Sequence, residues 1–214
     1  MVFFNIHTHN KTQQEDVFSI WNGYPNTVDT TIPFSVGIHP WFLEKETLDK
    51  DVELVEKALS NSNCFALGEC GLDKVIATNF DLQLTAFKKQ IALSEKYQKP
   101  VIIHCVRAYQ EIIEIKKELQ PKQNWIIHGF HKNKQLAESL LKNDIYLSFG
   151  AKIISDQKLQ EVLISLPQEK FFLETDDAKI TIQKIYEQVA SLKNSSIEEL
   201  TNKIKQNFTN IFKR

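Results

Sequence analysis

KPVIIHCVRAYQEIIEIKKELQPKQNWIIH, residues 99–128, holds two short apolar β-rich runs, Val101–His104 and Trp125–His128, on either side of a helical segment, Ala108–Glu118. A strand, a crossover helix and a second strand make the βαβ unit of a parallel sheet. Both runs are apolar at successive positions, as strands covered on both faces are. The same alternation extends outward in both directions. Towards the N-terminus lie the candidate strands Val2–His7, Val17–Trp21, Pro33–Ile38 and Cys64–Leu67; towards the C-terminus lie Ile145–Ser148 and Phe171–Glu174. The total of eight is the number that a closed (β/α)8 TIM-like barrel uses. Helical segments are expected at Lys45–Asn61, Asp81–Gln98, Lys132–Lys142 and Ser155–Ser165, with Thr181–Leu192 and Ile197–Phe212 after the last strand. Within residues 85–93, apolar side chains recur at helical spacing, with Lys88, Lys89 and Gln90 read as the opposite face. The regularity fails early. About ten residues separate the first strand from the second, and the next connection is also short, too little for a crossover helix. One outer helix is therefore expected to be missing or reduced near residues 10–32, where Pro25, Asn26 and Asp29 supply turn chemistry.

The chain has 214 residues, 42% of them hydrophobic, and 14 phenylalanines, which allows one sizeable core and calls for no second domain. Residues 1–214 are read as a single α/β domain. Lys plus Arg number 26 against 27 for Asp plus Glu, a net charge of −1, so no global field attracts a polyanion or an acidic membrane. Phosphate binding, where it occurs, must be local. Cys64, Cys70 and Cys105 are an odd set without C-x-x-C spacing and are expected as reduced thiols of a cytoplasmic protein. The N-terminal residues have no basic region followed by a long apolar stretch, and membrane insertion is not expected.

Chemistry gathers where such a fold would place it. His7 and His9 stand two apart at the end of a β-rich run, so both imidazoles can project to one side. Of six histidines, His7, His9, His39, His104 and His128 all fall at or just beyond the C-terminal end of a predicted strand, the edge at which barrel enzymes build active sites. Glu69, in Gly68-Glu69-Cys70-Gly71-Leu72-Asp73, and Glu174 and Asp176, in Leu173-Glu174-Thr175-Asp176, join them. Neutral imidazoles with carboxylates suit Zn²⁺, Mn²⁺ or similar ions. Carboxylates converging without a cation would raise one another's pKa values, and a bound metal removes that cost.

These blocks resemble the TatD-type metal-dependent deoxyribonucleases, a family of amidohydrolase-like barrels, and the resemblance runs nearly end to end. Asn5-Ile6-His7-Thr8-His9 is similar to the family's D-x-H-x-H, Gly37-Ile38-His39-Pro40 to its G-x-H-P, and Gly68–Asp73 to its G-E-x-G-L-D. Pro100-Val101-Ile102-Ile103-His104 resembles its P-V-x-x-H, Ile127-His128-Gly129-Phe130 its H-x-F, Leu173–Asp176 its L-E-T-D, and Asn207–Phe212 its closing N-x-x-x-x-F. The resemblance implies two divalent ions, Mg²⁺, Mn²⁺ or Zn²⁺: one held by His7, His9, Glu69 and Asp176, a second by Glu69, His104 and His128, with Glu69 as the bridge. It also implies hydrolysis of DNA or another phosphodiester substrate, with Asp176 as the candidate to take the proton from the attacking water. Arg107, Lys152 and His39 are candidates for binding the substrate; ordinary surface charges, or a packing histidine, are the plain alternatives. Trp41 and Phe130 could stack on a base, though aromatics at strand ends more often join the core.

Two departures bear on these expectations. Asn5 replaces the family's first Asp, which would weaken an anion orienting a ligand histidine. After Asp176 the family continues with a proline and a basic, polar loop, whereas Asp177-Ala178-Lys179 runs almost directly into a helix. The lost loop leaves open a second substrate class, a C–N or C–O bond in a small molecule. A non-catalytic scaffold would predict a broken ligand set, and the six positions are all present. No obligatory protein partner is evident.

Overall fold

The computed structural model describes residues 1–212. Eight strands, β1 (Phe3–Thr8), β2 (Val17–Gly23), β3 (Phe34–Val36), β4 (Cys64–Asp73), β5 (Val101–Val106), β6 (Trp125–Ile127), β7 (Ile145–Phe149) and β8 (Phe171–Leu173), follow one another in chain order in a single sheet. Helices α1 (Leu48–Leu59), α2 (Phe80–Tyr97), α3 (Tyr109–Leu119), α4 (Lys134–Lys142) and α5 (Gln157–Ser165) lie between them, and α6 (Ile182–Leu192) and α7 (Ile197–Ile211) follow β8. This is the expected (β/α)8 arrangement. Among the described residues there is no helix between β1 and β3, so the outer helix expected to be missing near residues 10–32 is absent. No described helix is long and apolar enough to cross a membrane. The three cysteines are buried, and no disulfide joins them.

By its contacts the chain divides into two compact units, Met1–Trp21 with His128–Ile211, and Asn22–Ile127. In the first, β7 pairs in parallel with β8 (Leu147↔Phe171 to Phe149↔Leu173) and β1 with the start of β2 (Phe3↔Val17 to Asn5↔Ser19). A bridge between Thr8 and Asp176 ties β1 to the residues after β8. Lower down β1, a side chain of α6 does a strand's work. The buried Tyr186 hydroxyl accepts from Phe4 N at 3.1 Å and donates to Phe4 O at 3.0 Å. α7 buries Leu200, Ile204, Phe208 and Ile211, spaced as one helical stripe, and Phe208 stacks against Phe4 and Phe18 at centroid distances of 4.7 and 5.2 Å.

In the second unit, β3 pairs with β4, β4 with β5 and β5 with β6, all parallel. β4 runs past its expected end at Leu67 to Asp73, with a register shift between Leu67 and Cys70. Its glycines explain why. Gly68 and Gly71 have φ of +134° and +147°, and a Cβ would lie 2.3 Å from the Ile102 carbonyl oxygen and 2.0 Å from that of His104. A sequence reader takes glycines as strand breakers; here they admit a neighbouring backbone too close for any side chain. Glu69 therefore lies within β4 rather than beyond it.

Helix α2 corrects another expectation. Gln90 is buried, not part of a solvated face: its amide accepts from Ile38 N at 2.7 Å and donates to Ile38 O at 3.2 Å. Seven residues earlier, Gln83 does the same for Asp73, accepting from its N at 2.8 Å and donating to its O at 3.0 Å. Polar positions on the buried face of α2 thus satisfy backbone groups that end β3 and β4, where ladder partners stop.

Removing the Tyr186 hydroxyl would leave both polar groups of buried Phe4 unserved, so Tyr186→Phe is expected to cost about 1–3 kcal/mol. Urea unfolding followed by circular dichroism measures it, with the midpoint lowered and the slope unchanged.

Candidate metal centre

In the second unit, the turn after β3 opens on His39, which caps a short 3-10 turn, Pro40–Phe42. Its Nδ1 accepts from Trp41 N at 3.1 Å, which leaves the proton of the neutral ring on Nε2, and Nε2–H donates to Glu69 Oε1 at 3.1 Å. His104, on β5, brings Nδ1 to 2.9 Å from the same Glu69 oxygen, while its Nε2 stands 3.3 Å from Asp73 Oδ2. A neutral imidazole has one proton for two carboxylates. When it serves Asp73, the Nδ1 lone pair faces a carboxylate oxygen, and a second ring proton or a bound metal ion between them makes that contact favourable. Asn22, at the end of β2, holds Glu69 from behind: its Oδ1 accepts from Glu69 N at 2.9 Å and its Nδ2 donates to Oε2 at 3.4 Å. Burial alone would raise the Asp73 pKa, but the Trp41 indole at 2.8 Å, the Val75 amide at 2.8 Å and His104 outweigh it and keep the carboxyl below the usual range.

In the first unit, His7, next to last in β1, is fully buried, and His9, just past its end, is half-buried. Backbone bonds clamp Asp176 to both: Asp176 N donates to His7 O at 3.0 Å, and His9 N donates to Asp176 O at 3.0 Å. Asp176 takes a left-handed φ of 53°, and its Oδ1 stands 3.6 Å from His7 Nε2 and 3.3 Å from His9 Nε2. Burial pushes this carboxyl upward, yet hydrogen bonds from His7 and His9, with the charge of His7 and His128, hold it far below the ordinary carboxylate range. The His128 ring lies 4.4 Å from that of His7. Behind it, the fully buried Glu174 accepts from Gly129 N at 2.7 Å and reaches His128 Nδ1 at 3.4 Å. A carboxylate against one ring nitrogen fixes the imidazole and makes the other nitrogen a better ligand.

Each unit thus offers three ligand atoms within 4.8 Å of one another: His7, His128 and Asp176 in one, His39, Glu69 and His104 in the other. The donor chemistry fits a divalent cation, since in each group imidazole nitrogens and carboxylate oxygens converge within reach of one ion.

Residues 2–213 match the TatD related DNase family. The chain belongs to that family. Among its relatives, "Uncharacterized metal-dependent hydrolase YabD" of Bacillus subtilis is 27% identical over 196 residues, 84% of this chain and 76% of that one. "3'-5' ssDNA/RNA exonuclease TatD" of Erwinia tasmaniensis is 27% identical over 174 residues, 78% of this chain and 64% of that one. The crystal structure of the TatD homologue YjjV from Escherichia coli superposes with a TM-score of 0.85 at 21% identity, covering 99% of this chain and 98% of the other. A TatD family hydrolase from Entamoeba histolytica gives 0.79 at 17% identity over 99% and 98%. The fold is accordingly the TIM barrel of TatD proteins, and the chain is a metal-dependent hydrolase of this family.

Several residues of this TatD protein stand apart from their sequence reading. Asn5 does not touch the histidines: its side chain donates to Thr175 Oγ1 at 2.8 Å and accepts from Thr175 N at 3.0 Å, so the amide ties β1 to the residue between Glu174 and Asp176. An aspartate could accept but not donate there. His39 is buried against Glu69, while Arg107, after β5, and Lys152, in the turn after β7, are exposed. Phe130 is core, packed at 5.8 Å on Phe149, whereas Trp41 is exposed. Asn22 and Asp73 were missed as functional residues. Asn22, polar at the end of the apolar run Ile20-Trp21, was a legible signal, whereas Asp73 lies in the part of β4 beyond its expected end at Leu67 and was not.

Because Asp176 has its folded pKa below the unfolded value of about 3.9, its ionisation stabilises the fold in full above that pH, and the contribution is lost progressively as pH falls from there towards the folded pKa. In chelator-treated protein, the unfolding free energy is expected to drop progressively from about pH 5 down to pH 2. Urea titrations over that window should show a shallower drop for Asp176→Asn.

Proposed function

We propose that this protein hydrolyses phosphodiester bonds in single-stranded DNA, using two divalent cations drawn from Mg²⁺, Mn²⁺ and Zn²⁺. The observation that carries the reading is the pair of groups, each of three imidazole or carboxylate ligand atoms within 4.8 Å of one another. His7, His9, His128 and Asp176 would hold one ion, and Glu69 with His104 the other; residues 1–214 serve this one activity. A relative named as a single-stranded DNA and RNA exonuclease supports the substrate class. Such ions lower the pKa of water and offset negative charge on phosphoryl oxygens.

The chain's own groups supply the rest. Asp176, ionised at neutral pH and 36% exposed, is placed to accept the proton of the attacking water. Glu69 is held in one rotamer by Asn22 and His39, so the second ligand pair is set before substrate arrives. With Nδ1 committed to Trp41 N, His39 serves as the donor that orients Glu69. Glu174, a carboxylate oxygen 3.4 Å from His128 Nδ1, orients that ring in turn. Arg107 and Lys152 are the exposed cations assigned to the strand's phosphates, Arg107 by a bidentate grip. The buried cysteines, none in a disulfide, suit a reducing compartment, and we assign the protein to the cytoplasm.

Purified protein is expected to release nucleotides from single-stranded DNA with Mg²⁺ or Mn²⁺, to stop in EDTA, and to lose about a hundredfold or more in kcat on Asp176→Asn. Elemental analysis of the protein as isolated should give close to two metal ions per chain. Full activity in EDTA, or an Asp176→Asn enzyme as fast as the parent, would refute the proposal.

A further inference from the structure

The protein has three tryptophans, and two are buried: Trp21 is 5% exposed and Trp125 0%. Trp41 is 58% exposed, and its neighbour Phe42 59%. Exposure of this size usually comes with mobility, but Trp41 is pinned twice. Its indole N–H donates to the buried Asp73 Oδ2 at 2.8 Å, and its backbone N–H donates to His39 Nδ1 at 3.1 Å. Asp73 is itself fixed, by Val75 N at 2.8 Å and by the whole of Gln83's amide on its backbone. The ring stands edge-on to His39 and His104, at centroid distances of 5.1 and 5.9 Å. An apolar plane is thus held out into solvent beside Glu69 and His104, on a side chain with only two rotatable bonds and little entropy left to lose.

We propose that Trp41 is the stacking platform for one nucleobase of the bound strand, the base carried next to the phosphate that the Glu69–His104 group engages. The inference rests on the reading of this site as a nucleic-acid hydrolase and adds how it takes hold of the strand. The indole has one hydrogen-bond donor, and Asp73 has used it, so what the side chain still offers is its π-face. Every base has a matching face, whatever its edge pattern, so the contact would be tolerant of sequence. Phe42 extends the apolar surface: its ring meets Tyr24 edge-on at 5.2 Å and closes a slot of about 220 Å³ that reaches His39. The opposite sign of charge plays no part here, which separates this contact from the phosphate contacts assigned to Arg107 and Lys152.

The test uses the metal-loaded enzyme and a single-stranded phosphorothioate hexamer, with one abasic residue walked through it. Wild-type protein is expected to lose affinity about tenfold at one position and little elsewhere, as loss of one aromatic stack would produce. Trp41→Ala should bind the intact hexamer as weakly as wild type binds that abasic one, and should no longer distinguish the two. Trp41→Phe, which keeps a ring and gives up the N–H, should retain most of the difference. The intact hexamer should also quench the emission of the one exposed tryptophan, and the critical abasic hexamer should not. A purely structural role would make Trp41→Ala weaken intact and abasic hexamers by equal factors, and that result overturns the stacking proposal. So does binding indifferent to every abasic position. Failure of any metal-loaded variant, wild type included, to bind the hexamer would instead bring down the nucleic-acid reading on which the proposal rests.

Discussion

Glu69 Oε1 meets His39 Nε2 at 3.1 Å and His104 Nδ1 at 2.9 Å, in a place where water cannot intervene. Burying a carboxylate among imidazoles is costly unless protons or cations are shared among them. His39 can donate, because Trp41 N has taken its other nitrogen. His104 cannot serve both Glu69 and Asp73 with one proton. Imidazole and carboxylate donors converging within 4.8 Å make this cluster fit a cation, and much of the surrounding second unit is arranged to keep the carboxylate in that position.

The supports are polar residues that a purely apolar barrel wall would not need. Gly68 and Gly71 let β4 approach β5 closely, and this carries Glu69 into the strand beside His104. Asn22 then closes on both the backbone and the side chain of Glu69. From the outside, Gln83 and Gln90 fasten the ends of β4 and β3 to one helix face, so Asp73 and the turn carrying His39 are set by α2. Buried amides that satisfy backbone groups rigidify a site at modest net cost, since each partner would otherwise be left bare.

The eight strands and seven helices were legible because buried parallel strands and amphipathic helices print different periods, and each expected element is present with its ends moved by a few residues. The missing outer helix could be read from chain length alone. What was not legible is instructive. β4 was cut short because Gly68 reads as a terminator when the backbone that crowds it is unknown. Gln90 sits among Lys88 and Lys89 and looks like surface, and only the position of Ile38 shows why it is buried. Asn5 looks like a lost anion next to His7, and only the position of Thr175 reveals that a group able both to donate and to accept is what the site uses. Each miss concerns a partner distant in sequence, which local pattern cannot supply.

The first unit solves a related problem with two carboxylates two residues apart. Glu174 and Asp176 flank Thr175, which Asn5 grips on both its amide and its hydroxyl. Thr175 Oγ1 donates its own proton to Thr8 Oγ1 at 3.0 Å, and Asp176 N donates to His7 O, so both residues are fixed to β1. Extended backbone would send the two acids to the same side; the left-handed turn at Asp176, φ 53°, reaims the second. Glu174 faces inward, to Gly129 N and His128 Nδ1, while Asp176 faces His7 and His9 and keeps an opening to solvent. One acid can then hold a ligand ring while the other exchanges protons with water, a division set by the backbone rather than by residue type.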